Sequence, residues 1–252
     1  MVLPRSAGLF ASDGLSTWPL PVAWPAGLGE VVASALGERV IVRVLLPTND
    51  PAVWSCAIWT TDGSAAGTTL ATTIATRAGV LRQVVFADRI WFGAFESAGQ
   101  EVLWESDGSA EGTMPHRRGM SRPPAGPFDL DVAGVQLFVI GANQLWIADG
   151  RGRYEFVANV PCVSGALSVG IGERLVIAPW GYAILWCTDG SPAGTRVVPA
   201  AARRYPDDQF LALGARRALF AGVPAGGYPQ PWVTDGTPGG TSRFATLTTW
   251  TR

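Results

Sequence analysis

ILWCTDGSPAGT, residues 184–195, decides the fold, because the same text returns five more times along the chain. The other copies are GLFASDGLST (8–17), AIWTTDGSAAGT (57–68), VLWESDGSAEGT (102–113), QLWIADGRGR (144–153) and PWVTDGTPGGT (231–241). All six read aromatic, any residue, small residue, Asp-Gly. The aromatic positions are Phe10, Trp59, Trp104, Trp146, Trp186 and Trp232, so the separations are 49, 45, 42, 40 and 46 residues. The paired aspartates are Asp13, Asp62, Asp107, Asp149, Asp189 and Asp235. An internal period of this length is the mark of a repeat architecture.

Between the copies a second text recurs: a short apolar run ending in Gly, a further strand-like run, a variable loop, and the motif again. FLALGARRALFAGVPA (210–225), LSVGIGERLVIAPW (167–180) and FDLDVAGVQLFVIGA (128–142) are examples. Val, Ile, Leu, Phe and Thr fill short runs punctuated by Gly, Pro, Asn and Asp, which is the strand signature. No amphipathic 3.6-residue periodicity persists long enough for a helix. The class is all-β, and four strands per 40 to 50 residues is the length of a β-propeller blade.

Lettering the strands of a blade A to D, the last unit predicts strand A at Phe210–Leu213, strand B at Arg217–Gly222, strand C on the aromatic motif and strand D at Ser242–Thr246. Asp-Gly falls on the C to D hairpin. There Asp accepts backbone N–H groups just ahead of it and Gly supplies positive φ. The Trp two residues before the small residue is expected against the neighbouring sheet, and Gly67-Thr68, Gly112-Thr113, Gly194-Thr195 and Gly240-Thr241 are expected to end the turn. The predicted domain is a single propeller over 1–252, with a half blade at 1–25 and full blades at about 26–75, 76–120, 121–160, 161–202 and 203–252. Motif and strand D occur six times but strands A and B only five, so a five- or six-bladed arrangement is open. An incomplete blade would expose strand edges that another chain could complete.

These motifs resemble a bacterial repeat family whose signature reads E-L-W-x-x-D-G-T followed by x-x-G-T. The likeness runs over nearly the whole chain, and five copies carry the Trp and Asp-Gly core. No copy has the leading Glu, Phe10 replaces Trp, and Asp149-Gly150 lacks the later Gly-Thr. The resemblance implies a propeller-like fold and attaches no common reaction to it.

Composition bounds the function. The chain has 252 residues, 48% of them hydrophobic and 15% charged, and a formal charge of -1. It is therefore a folding sequence with no global electrostatic footprint for nucleic acid or for an anionic membrane. All nineteen basic residues are Arg. Cys56, Cys162 and Cys187 are too few and scattered for a disulfide framework or a CxxC metal site, and read as small buried apolar residues. Neither a secretion signal nor an uninterrupted apolar span is legible, so no compartment is assigned and no membrane insertion is expected.

No catalytic, metal or cofactor residue is expected. The Asp-Gly turns resemble the Asp-box of sialidases, but one carboxylate per blade cannot surround an ion. His116, in a loop with Arg117, Arg118 and Arg122, reads as a solvated surface side chain. The B to C and D to A connections emerge opposite the Asp-Gly hairpins. They hold Trp54, Trp180, Tyr182 and Tyr228, and Arg117, Arg118, Arg122, Arg203, Arg204, Asp207 and Asp208, respectively. Of these, Trp54, Trp180, Tyr182, Tyr228, Arg117, Arg118, Arg203 and Arg204 are the candidate binding residues, because aromatics and Arg dominate binding energy. The bland reading has the rings folded back over the core. The function expected is a non-enzymatic recognition or scaffolding module for a protein or glycan partner. The alternatives are a structural subunit of a larger complex or homo-oligomer joined at an open blade, and, less favoured, an Asp-box glycoside hydrolase.

Overall fold

The computed structural model describes residues 2–5, 8–22, 29–50, 53–76, 82–95, 101–116, 129–148, 154–161, 167–179, 182–199, 202–204, 210–224 and 228–245, with residues 2–5 and 202–204 described by backbone. The chain divides into two compact units, Met1–Arg117 and Arg118–Arg252. Each contains three antiparallel sheets, and among the described residues there is no helix.

In the first unit, sheet one runs β1 (Val2–Arg5), β2 (Gly8–Ser12), β3 (Thr17–Pro19). Sheet two runs β4 (Val31–Leu36), β5 (Arg39–Pro47), β6 (Trp54–Thr61), β7 (Thr69–Thr76). Sheet three runs β8 (Gln83–Phe86), β9 (Arg89–Phe95), β10 (Glu101–Ser106), β11 (Met114–Pro115). In the second unit, sheet four holds β12 (Asp129–Ala133), β13 (Gln136–Gly141), β14 (Gln144–Ala148) and β15 (Tyr154–Asn159). Sheet five holds β16 (Leu167–Ile171), β17 (Arg174–Ala178), β18 (Ile184–Thr188) and β19 (Arg196–Pro199). Sheet six places β20 (Ala202–Arg204) and β21 (Leu211–Leu213) along the same edge of β22 (Arg217–Pro224), followed by β23 (Gln230–Thr234) and β24 (Ser242–Arg243).

The sequential, hairpin-linked sheet of four strands is the blade unit of propeller-like β folds. Each A to B hairpin turns on a residue with positive φ: Gly37 (60°), Gly134 (56°), Gly172 (62°) and Gly214 (63°), with Ala87 (50°) in the corresponding place of sheet three. Those glycines are the ones that end the apolar runs in the sequence.

Two features depart from the sequence reading. The first sheet has a third strand, β1, paired to β2 from Val2↔Ala11 to Arg5↔Gly8, where a bare C-D hairpin was expected. Val-Leu-Pro-Arg is too short and too interrupted by Pro4 to show strand periodicity. In sheet six, two short strands, β20 and β21, share the edge of β22 where the sequence predicts a single strand A at Phe210–Leu213.

Strand alternation builds the core. On β5, Val42 and Val44 face sheet one, in a cluster with Leu9, Ala11, Leu20 and Val22. Ile41 and Leu45 face sheet three, with Cys56, Ile58, Ile90, Phe92 and Ala94. The second unit repeats the arrangement. Phe138 and Ile140 pack with Leu175 and Ile177 between sheets four and five, and Val176, Cys187 and Val198 pack with Ala218, Phe220 and Trp232 between sheets five and six.

Candidate functional site

Four copies of the signature form one turn with one hydrogen-bond plan. In sheet five, Asp189 Oδ1 accepts from the Ser191 N–H at 2.9 Å and from the Ser191 hydroxyl at 2.7 Å. Ser191 Oγ in turn accepts the Gly194 N–H at 2.9 Å. Thr188, the residue before Asp, accepts the Gly190 N–H at 3.0 Å and bonds Thr195 Oγ1 at 2.7 Å. The Thr195 hydroxyl also lies 2.7 Å from the Ser191 carbonyl.

The same bonds recur around Asp107 (Ser106, Ser109, Thr113) and Asp235 (Thr234, Thr237, Thr241). Around Asp62 the Thr61–Thr68 hydroxyl pair and the Ser64 N–H bond are kept. The first copy is shorter. Asp13 Oδ1 accepts from Leu15 and Ser16, and Ser12 accepts the Gly14 N–H. Asp149 and its Gly lie outside the described residues.

The two glycines of the motif have different causes. Gly63, Gly108, Gly190 and Gly236 sit at φ of 93°, 89°, 89° and 80°, a region that favours residues without Cβ. Gly67, Gly112, Gly194 and Gly240 have no such φ. A Cβ on any of them would instead collide with the carboxylate of Asp62, Asp107, Asp189 or Asp235. The aspartate needs the second glycine for room.

These bonds hold the carboxylates below the ordinary aspartate range. For Asp13 and Asp62 the main cause is a backbone N–H, from Ser16 and Ser64. For Asp189 and Asp235 it is the Ser191 and Thr237 hydroxyl. For Asp107 burial is the largest single influence and opposes ionisation, but the Ser109 bonds and the nearby Arg89 outweigh it.

The turn also touches the preceding sheet. Thr60 of sheet two donates its hydroxyl to the Gly108 carbonyl of sheet three, and Trp18 Nε1 of sheet one donates to the Gly63 carbonyl of sheet two at 3.0 Å. Gly190 approaches Gln136 of sheet four, and Gly236 approaches Cys187 of sheet five. The signature tryptophans complete the contact. Trp59 packs on the sheet one cluster, Trp104 on the sheet two and three cluster beside Phe92, Trp186 on the sheet four and five cluster, and Trp232 within the sheet five and six cluster beside Phe220. Trp146 meets Phe156 edge-on at 5.4 Å. Phe10 is half-buried on β2.

The candidate binding residues separate. Trp54 is half-buried as the first residue of β6, packed on the sheet two and three cluster, and its ring would meet a Cβ placed on Gly29. Tyr182, in the β17 to β18 connection, is 46% exposed, and Tyr228, in the β22 to β23 connection, is 78% exposed. Both stand on adjacent sheets of the second unit, at the end opposite the Asp-Gly turns. Arg203 and Arg204 lie on β20, which pairs with the Gly222–Pro224 end of β22, the end from which the Tyr228 loop leaves. Trp180, Arg117, Arg118, Arg122, Asp207 and Asp208 lie outside the described residues.

His116 is not a solvated side chain. It is 5% exposed, its ring centroid lies 4.9 Å from that of Trp91, and its Nδ1 is 3.6 Å from Glu105 Oε2, which also faces Arg89 Nε at 3.8 Å. The His116 N–H donates to the Leu103 carbonyl, so the chain is held along β10 past the end of β11 and carries the ring under Trp91.

A residue that sequence reasoning missed is Arg43. It occupies an inward position between Ile41 and Leu45 and is fully buried. Its guanidinium lies 3.9 Å from the Phe92 ring centroid and donates to the Arg82 carbonyl at 3.2 Å and to Gln83 Oε1 at 3.4 Å, while Gln83 donates to Ser34 at 2.7 Å. Burial lowers its pKa from the usual arginine value. Cys56 and Cys187 are buried free thiols, and burial raises the pKa of Cys187. Cys162 is outside the described residues. Among the described residues no group of three or more His, Cys, Asp or Glu could hold a metal ion.

No family model and no curated protein matches the sequence. Solved structures do share the fold. A puromycin hydrolase, crystallised as an S511A mutant complexed with PGG, is 16% identical with a TM-score of 0.63 over 96% of this chain and 42% of its own. A crystal structure of the eukaryotic initiation factor is 12% identical with a TM-score of 0.59, over 96% of this chain and 62% of its own. The chain thus spans less than two thirds of either neighbour, and at these identities the likeness is one of fold alone.

Proposed function

We propose that this chain is a non-enzymatic recognition module that engages a protein or glycan partner through the loop end opposite the Asp-Gly turns. The supporting observation is the pair of exposed rings, Tyr182 and Tyr228, on adjacent sheets beside the strand that carries Arg203 and Arg204. Tyrosine and arginine supply large contact area with few rotatable bonds and directed donors, which is why binding energy concentrates on them. The arginine pair favours a partner surface rich in carboxylates. In this reading the six sheets are propeller blades, the first one thin, and the repeat signature serves as a scaffold that keeps the loop end rigid.

The test is capture by the immobilised chain, with a glycan array as the second arm, comparing wild type with Tyr182→Ala/Tyr228→Ala and with Arg203→Ala/Arg204→Ala. Loss of the captured partner in both variants, with unchanged thermal midpoints, is the expected result. Capture that survives both pairs of substitutions refutes the assignment of the face. The thin first sheet supports a second reading, a subunit completed by a strand of a larger assembly. Among the described residues β1 pairs only with β2, leaving its other edge open.

A further inference from the structure

The inner strands of each unit do not stand alone. Ser34 of β4 accepts from Gln83 of β8, and the backbone of β12 lies so close to Gly170 of β16 that a Cβ there would strike the Val132 carbonyl. The outer strands are the free edges, and an unpaired edge is a template for a further strand unless it is short, charged or interrupted by Pro. Five of the six are guarded. β3 has three residues and ends in Pro19, β11 is Met-Pro, β15 carries Glu155, β19 begins with Arg196 and ends in Pro199, and β24 is Ser-Arg.

β7 is the exception. It is eight residues long, reads Thr-Leu-Ala-Thr-Thr-Ile-Ala-Thr, and has no charge and no Pro. Its pairing with β6 steps at Ala71, and from Thr72 to Thr76 it runs in regular register against Ile58 to Trp54. The other edge of that five-residue stretch has no strand beside it among the described residues.

We infer that the β7 edge is a self-association site that pairs antiparallel with β7 of a second copy of this chain. The sequence is complementary to itself about Ile74. A two-fold axis there sets Thr72 opposite Thr76 and Thr73 opposite Ala75, so every facing pair is small or β-branched and no like charges meet. Such pairs are favourable across antiparallel strands, whereas like charges opposed across a two-fold are not. A two-fold interface of this kind closes, giving a dimer and not a fibre. Two four-stranded sheets become one of eight. The site is on the second sheet and is independent of the partner-binding reading proposed for the second unit.

The experiment is sedimentation equilibrium of the full chain at about 100 µM, a concentration that populates a dimer of micromolar affinity. Wild type is compared with Thr73→Lys/Ala75→Lys, both on the exposed side of β7. The expected result is twice the chain mass for wild type and the single chain mass for the variant, with the same circular dichroism spectrum for both and the same thermal midpoint once wild type is diluted far enough to be monomeric. Amide exchange of residues 72–76 should also slow at least tenfold on concentrating the wild type alone. A monomeric wild type overturns the inference, and this includes the outcome in which the edge accepts only a strand from a different protein. A dimer that survives the two lysines overturns it as well.

Discussion

Replacing Gly194 by Ala tests the reasoning on the repeat signature at its most specific point. Gly194 lies outside the left-handed φ region, so its backbone accepts alanine, and the three atoms nearest the new Cβ all belong to the Asp189 carboxylate. Ejecting the carboxylate breaks its two bonds to Ser191, at 2.9 and 2.7 Å. With a net worth of about 1 kcal/mol each in this exposed turn, Gly194→Ala should cost about 2 kcal/mol. Asp189→Ala loses the same bonds and should cost about the same. The double variant has nothing left to displace, so it should also cost about 2 kcal/mol where additivity would give about 4, a coupling of about 2 kcal/mol. Urea unfolding of the four proteins, followed by far-ultraviolet circular dichroism, measures the cycle. Additive costs would refute the claim that this glycine exists to make room for the aspartate.

Acid should weaken the fold through the same turns. The folded pKa values of Asp62, Asp107, Asp189 and Asp235 are depressed, so their contribution is present above the unfolded aspartate value of about 3.9 and is lost as pH falls through the folded values. The urea midpoint of wild type should therefore drop below about pH 4, and less steeply in Asp189→Ala/Asp235→Ala. Arg43→Met should leave stability within about 1 kcal/mol of wild type or raise it, since it removes a desolvated charge at similar volume, while Arg43→Ala should cost about 3 kcal/mol or more for the cavity; thermal midpoints of the two variants separate these. Ala87→Gly should stabilise the third sheet by about 1 kcal/mol, because Ala87 holds a φ of 50° where four other hairpins use glycine; chemical unfolding reads it.

The signature was legible because each of its residues answers a local requirement. Positive φ demands the first glycine, the carboxylate demands the second, and the tryptophan needs a neighbouring sheet. The hydroxyl pair was visible only as a small residue before Asp and a Thr after Gly. Their bonding explains the copies that depart. Ala148 has no hydroxyl to offer, and in that copy the later Gly-Thr is missing too. What sequence could not show were placements set by contacts between sheets. Arg43 breaks the apolar alternation of β5 and reads as an edge residue until Phe92 and Gln83 of the next sheet are seen around it. His116 sits in an arginine-rich stretch yet is carried under Trp91 by its bond to Leu103. Trp54 reads as a loop ring because β6 begins earlier than its motif. Tyr182 and Tyr228 lie in the exposed connections where strand counting puts them, because those loops follow directly from the order of the strands.

The central claim is that the signature carboxylates close their own turns and hold no ion. The direct measurement is the thermal midpoint of the whole chain in excess EDTA and in increasing calcium up to about 10 mM, where a site of 10 µM affinity would add about 4 kcal/mol. The account predicts the same midpoint throughout. A saturable rise with calcium, abolished by Asp189→Ala/Asp235→Ala, would contradict it.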